Sequence, residues 1–223
     1  MNIKQEYFKF LDDNFDGLTI KPPLFYRWQN GLRFNLQSKT ADSDSYFEES
    51  DSYFEEVVKR ASLLFESFFD ADDSVYMVVI EHKFKRQKIR RFNYIFNQIQ
   101  NLKRQDIDYY RIKNFFDEES LNYPFDQHNV AIVQTIAKNI GYQNILKAIS
   151  YRDFPRIIET LGSKSIYFIN VDKKLIFSMY DDRGLDVIAS NKETLRANYI
   201  KHNSLILDYN RQKIDSLFNQ PKN

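Results

Sequence analysis

The 223-residue chain contains no cysteine and is poor in glycine (5), proline (5), histidine (3) and tryptophan (1). Without thiols there can be no disulfide, no cysteine nucleophile and no cysteine-ligated zinc or iron–sulfur centre. A chain of this length can bury a core without covalent staples, and the missing disulfides fit a reducing compartment. Scarce glycine leaves no phosphate-cradling loop, and no GxSxG nucleophile elbow is present. His82, His128 and His202 are far apart, with neither HxH nor HExxH spacing, so they support neither a zinc site nor a hydrolytic dyad. His202 reads as a polar helix-face residue. No apolar run approaches the ~20 residues of a membrane span. The opening MNIKQEYFKFLDD lacks an apolar signal core, so a cytoplasmic protein with no membrane contact is expected. A net charge of +1 gives no global pull toward nucleic acid or lipid.

Aromatics are abundant: 20 Phe and 15 Tyr favour strands and supply large buried areas, so a sheet should form much of the core. Ile3, Tyr7, Phe10, Leu11 and Phe15 recur at helical spacing and predict a first helix over 2–15, ended by Gly17. Pro22–Pro23 force an extended entry. Asn30-Gly31, between the aromatic runs 24–29 and 32–37, predicts a hairpin. DSYFEE at 44–49 recurs at 51–56, seven residues on, and the second copy leads into a helix over 52–69. Strands are expected at 75–80, 107–116 and 129–137, and helices at 91–102 and 143–150. Segments 165–171, 175–180 and 185–189 predict a three-strand meander joined by tight turns. Ser190, with Glu193 three positions on, reads as a capping box for the next helix, and a last helix spans 211–218.

Tight turns rather than helical crossovers argue against a doubly wound parallel sheet. The expected fold is therefore α+β: a mixed, mainly antiparallel sheet with helices packed on it, and a C-terminal meander followed by two helices. One domain over 1–223 is expected. A subdivision into a helix–hairpin–helix unit (1–70) and a main sheet domain (71–223) is left open.

Three strings in the C-terminal third, YDDRGLDVIAS (180–190), ETLRANY (193–199) and LILDYNRQKIDSLF (205–218), resemble the signature of a bacterial family described only as domain of unknown function 3885. PLFYRWQNGLRF (23–34), YFEEVVKRASLLFE (53–66) and KAISYRDFP (147–155) extend the resemblance over about residues 22–218. It departs at Leu205, where the family pattern has Trp, and at the duplicated DSYFEE. No activity is assigned to the family, so the resemblance implies no catalytic residues and no cofactor. By analogy alone, small cysteine-free bacterial proteins of this kind include immunity partners of secreted toxins.

Three constellations are candidates for function. Asp181, Asp182, Asp186 and Asp208 supply the hard oxygen ligands that Mg²⁺ or Mn²⁺ would need in a phosphoesterase or nuclease. The competing structural reading makes Asp181 and Asp182 a turn, gives Gly184 a left-handed conformation, and pairs Asp186 with Arg183. Strand alternation puts Asp186 on the same face as Ile188. The second candidate is the basic run 82–91, where Lys83, Lys85, Arg86, Lys88, Arg90 and Arg91 lie beside Phe84 and Phe92 and could contact phosphates. Seven acidic residues between Asp42 and Glu56 offset this run, a segregation that suits a protein partner or self-association better than nucleic acid. The third is Trp28, which alternation places with Leu24 and Tyr26 on a core-facing side; exposed, it would anchor an interface. The weight falls on a non-enzymatic, cytoplasmic protein-binding domain of immunity or regulatory type, with a toxin among the conceivable partners. Metal-dependent hydrolysis and nucleic-acid binding are the alternatives.

Overall fold

The computed structural model describes residues 2–37, 51–84, 89, 93–113, 126–154, 161–162 and 164–219. Its centre is a seven-stranded sheet formed by β1 (Gly31–Asn35), β2 (Ser74–Phe84), β3 (Ile107–Lys113), β4 (Asp126–Ile136), β5 (Lys164–Asn170), β6 (Leu175–Asp181) and β7 (Gly184–Ala189). The strand order is β1-β7-β6-β5-β2-β4-β3, and every pairing is antiparallel. The helices are α1 (Ile3–Phe15), α2 (Asp51–Phe68), α3 (Tyr142–Ser150), α4 (Glu193–Lys201) and α5 (Arg211–Asn219). This is the expected α+β architecture, with the meander β5–β6–β7 followed by α4 and α5.

Both faces of the sheet are covered, so its central strands are continuously apolar rather than alternating with polar residues. Along β2, Val75, Met77 and Val79 face one core together with Val57, Leu64 and Phe65 of α2 and Ile145 and Ile149 of α3. Tyr76, Val78 and Ile80 face the other core, closed by Tyr7, Phe10, Leu11 and Phe15 of α1. Phe65 is the hub of the first layer. It stacks on Phe69 and Tyr142 at 4.3 Å and meets Phe168 and Phe177 edge-on. Aromatic residues line both layers: on the opposite face Tyr7 and Phe10 of α1 meet Tyr76.

The N-terminal hairpin does not form. Leu24–Tyr26 is a 3-10 turn, and β1 pairs instead with β7, setting Arg33 opposite Asp186 and Phe34 opposite Leu185. Asn30-Gly31 satisfied a local rule, but Leu32 and Phe34 are fully buried on the α2 side of the sheet. That burial outweighs a two-stranded ribbon, which on its own is marginally stable. The two parts of the 1–70 and 71–223 subdivision therefore share one sheet. The outer edge of β1 is itself closed: Leu207 N–H donates to Arg33 O (2.9 Å), and Phe34 bridges Ile206.

Other expectations shift locally. Over 93–102, within the helix expected at 91–102, the only helical element is the 3-10 turn Phe96–Gln98, and Ile99 bridges Ile140. Ser190 does not cap α4; Asn191 Oδ1 accepts from Glu193 N–H at 2.9 Å. His202 is buried just beyond α4 rather than displayed on a polar face, and burial lowers its pKa. No helix among the described residues is long and apolar enough to cross a membrane.

Candidate functional site

The turn between β6 and β7 has two residues, Asp182 and Arg183, because Asp181 pairs with Gly184 across the ladder. Asp181 accepts from Arg183 N–H (2.8 Å) and from Arg183 Nε–H (2.8 Å), so a single carboxylate shapes the turn and fixes its arginine. Asp153 is also near this guanidinium, at 3.6 Å. Hydrogen bonding to Asp181 is the main reason the Arg183 pKa is raised. Asp182 instead accepts the hydroxyl proton of Tyr53 from α2 at 2.6 Å. Burial raises the Asp182 pKa, with Asp181 adding to the effect.

Asp186 does share a face with Ile188, but its partner is Arg33 and not Arg183. Arg33 Nε donates to one carboxylate oxygen at 2.6 Å and Nη2 to the other at 2.9 Å; the second oxygen also accepts Phe25 N–H at 3.1 Å. The side chains are 11% and 2% exposed. A buried, bidentate pair with an extra backbone donor satisfies the carboxylate that strand alternation had aimed inward. The rings of Phe25, Tyr26 and Tyr180 lie 5.4, 4.9 and 5.4 Å from the guanidinium carbon. Burial, with the nearby charges of Asp186 and Asp181, pushes the Tyr180 pKa up to about 12.

Gly184 is in the strand, not in a left-handed turn. Glycine is required there because a Cβ would stand 2.5 Å from Phe34 O and would also meet the Tyr180 hydroxyl. One side of the segment therefore needs glycine so that β1 can approach closely, and the other needs Asp186 to hold Arg33.

β5 and β6 are hydrogen-bonded only where Phe168–Asn170 face Leu175–Phe177. Toward Lys164 and Asp181 they part. Arg152, which follows α3, donates to Lys164 O at 2.6 Å, while its Nε has no hydrogen-bond partner. Burial lowers its pKa, opposed by Asp153, Asp181 and Tyr167. Beside it a second buried pair, Lys164–Glu81 (2.9 Å), spans β5 and β2. Sequence reasoning missed Arg33 and Glu81, since their partners lie far away in the chain, and Arg152, whose partner is a backbone carbonyl that no side-chain pattern marks.

The four aspartates do not converge. Asp208 is 94% exposed and pairs with Arg211 at 3.1 Å. Among the described residues, no group of three or more histidine or acidic side chains is arranged to hold a metal ion. Trp28 is partly buried; its indole N–H donates to Ala189 O (2.7 Å) and its ring meets Phe15 at 5.3 Å. Of the basic run, the side chains of Lys83, Lys85, Arg86, Lys88, Arg90 and Arg91 lie outside the described residues.

Tyr26, not Trp28, is the exposed aromatic of this segment: it is 50% exposed although alternation had turned it inward. Its hydroxyl accepts from Asn210 Nδ2 at 3.0 Å. Lys213 Nζ lies 5.4 Å from its ring centroid and 4.6 Å from that of Phe25. Tyr209, next to Asn210 in the chain, is 86% exposed.

Residues 7–210 match the family model described as domain of unknown function (DUF3885). The chain belongs to this family. A relative, the "Uncharacterized protein YnaE" of Bacillus subtilis (strain 168), is 24% identical over 216 residues, covering 90% of this chain and 96% of the relative. No solved structure matches the chain. The family match runs from Tyr7 within α1 to Asn210, so both halves of the Arg33–Asp186 pair and the Tyr26–Asn210 contact fall inside it.

Proposed function

We propose that the chain is a non-enzymatic, cytoplasmic protein-binding module of regulatory or immunity type, and that Tyr26, Tyr209 and Lys213 form its contact surface for an acidic protein partner. The observation that carries this reading is a half-exposed Tyr26 held in place from three sides: its ring lies against the Arg33 guanidinium, its hydroxyl is fixed by Asn210, and Lys213 lies over it. Tyrosines that are rigid before binding lose little entropy on association and are typical interface anchors. Arg27 and Lys213, both exposed, give the surroundings positive charge. That favours an acidic partner and faster association at low salt. Weighing against a metal-dependent phosphoesterase is the engagement of Asp181, Asp182 and Asp186 with Arg183, Tyr53 and Arg33.

The test uses the full chain as bait, comparing wild type with a Tyr26→Ala/Tyr209→Ala double variant. The expected outcome is a partner retained by wild type and weakened by salt. The variant should bind it at least about tenfold less tightly, as loss of one or two anchors implies, while its melting temperature stays close to that of wild type. A partner bound equally by both proteins contradicts the assignment of this surface.

A further inference from the structure

An open cavity of about 630 Å³ lies on the sheet at the β3 edge, remote from the Tyr26 surface, and its lining includes Ile89, Arg104, Ile107, Tyr109, Arg111 and Asn129. Its size falls within the range of sites for small organic ligands. β3 builds one wall by alternation: Ile107, Tyr109 and Arg111 occupy every second position, and Asn129 is paired opposite Arg111 on β4. Arg104 comes from the short 3-10 turn Arg104–Asp106 that leads into β3. The buried Ile89 contributes apolar surface and sits in the sequence between Lys88 and Arg90.

The chemistry of this lining is one-sided. Among its described side chains there are two guanidinium groups and no carboxylate. Among the described residues neither guanidinium has a hydrogen-bond or ion-pair partner, in contrast to Arg33, Arg60, Arg183, Arg196 and Arg211, all of which are paired with a carboxylate. Two arginines on one concave surface, with no carboxylate among the described lining residues, present planar donor arrays suited to a phosphate or carboxylate oxygen pair. Tyr109, 43% exposed, brings an aromatic ring to this surface, and Ile107 and the buried Ile89 add apolar lining.

We propose that this cavity binds a small planar molecule carrying an anionic head group, its ring against Tyr109 and its phosphate or carboxylate between Arg104 and Arg111. This site is independent of the protein-binding surface. It is tested by calorimetric titration of the full chain with adenosine monophosphate and, separately, with 4-hydroxybenzoate. Adenosine and inorganic phosphate serve as single-feature controls. Saturable binding of either ring-bearing anion supports the proposal if it is at least about tenfold weaker in an Arg104→Ala/Arg111→Ala variant. Binding must also be weakened by Tyr109→Ala and exceed that of both controls. The two titrants distinguish a phosphate head group from a carboxylate. Absence of saturable binding by both at millimolar concentration overturns it, as does equal binding by the arginine variant. Binding confined to a single-stranded oligonucleotide also overturns it, in favour of a nucleic-acid surface. All three residues are solvent-facing, and an unchanged melting temperature in the variants confirms that the fold is retained.

Discussion

Gly184 and Tyr180 occupy one small volume under β1, and each limits what the other position can carry. A methyl group at 184 would press on Phe34 O and on the Tyr180 hydroxyl at once, and backbone cannot swing aside as a side-chain tip can. Gly184→Ala is expected to cost about 2–3 kcal/mol, the upper part of the ~1–3 kcal/mol range of overpacked sites, measured by urea unfolding. Tyr180 makes a separate, pH-dependent prediction. Its pKa rises from 10.0 to about 12 on folding. The folded state therefore holds the phenol proton more tightly, and this contribution is complete below pH 10 and lost as pH rises through about 12. Wild type should lose more stability than Tyr180→Phe across that window, and below it the difference between the two should be constant. A constant difference across the whole alkaline range would show that Tyr180 titrates normally.

At the scale of elements, the duplicated DSYFEE offers a cleaner test of what α2 needs. The second copy makes specific contacts: Tyr53 bonds Asp182, and Phe54 packs on Tyr151 and Phe154. Deleting residues 44–50 leaves the sequence entering α2 the same, since Ser43 then precedes Asp51 as Ser50 does now. Arg60 donates to Gln37 O, so β1 ends beside the third turn of α2. The start of the helix is about 13 Å away along its axis, and the six remaining linker residues reach up to about 20 Å. The deletion should shift the melting temperature by no more than about 2 °C, within the effect of a fraction of a kcal/mol. A large loss would mean that the first copy supports the fold.

The same elements show what could be read from the sequence. α1, α2, α3, β2 and the meander were legible because each satisfies its own period locally, and the tight turns within the meander kept partners close in the chain. β1 was misread as half of a hairpin because its true partner, β7, lies 153 residues away at the Arg33–Asp186 pair. Asp186 could be recognised as an inward-facing carboxylate needing a cation, but the nearest arginine in the sequence was not the nearest in space. Tyr26 turned outward while Trp28 stayed against the core, because a 3-10 turn replaced the strand whose alternation had put both on one side.

For the whole molecule, the acidic segment 180–186 draws the N-terminal strand onto the C-terminal meander. Asp186 binds Arg33 and Phe25 N–H, Gly184 lets β1 approach, and the Ile206–Leu207 segment seals the outer edge. Tyr26 and Lys213 are presented on the far side of that joint, so stability and the proposed contact surface share one support. The most direct test is a double-mutant cycle by urea unfolding with Arg33→Met, Asp186→Leu and the pair. Each single change leaves one buried charge without its partner and should cost about 3–5 kcal/mol, whereas the double variant should recover much of that loss. Single variants that each cost less than about 1 kcal/mol, with additive effects in the pair, would contradict this account.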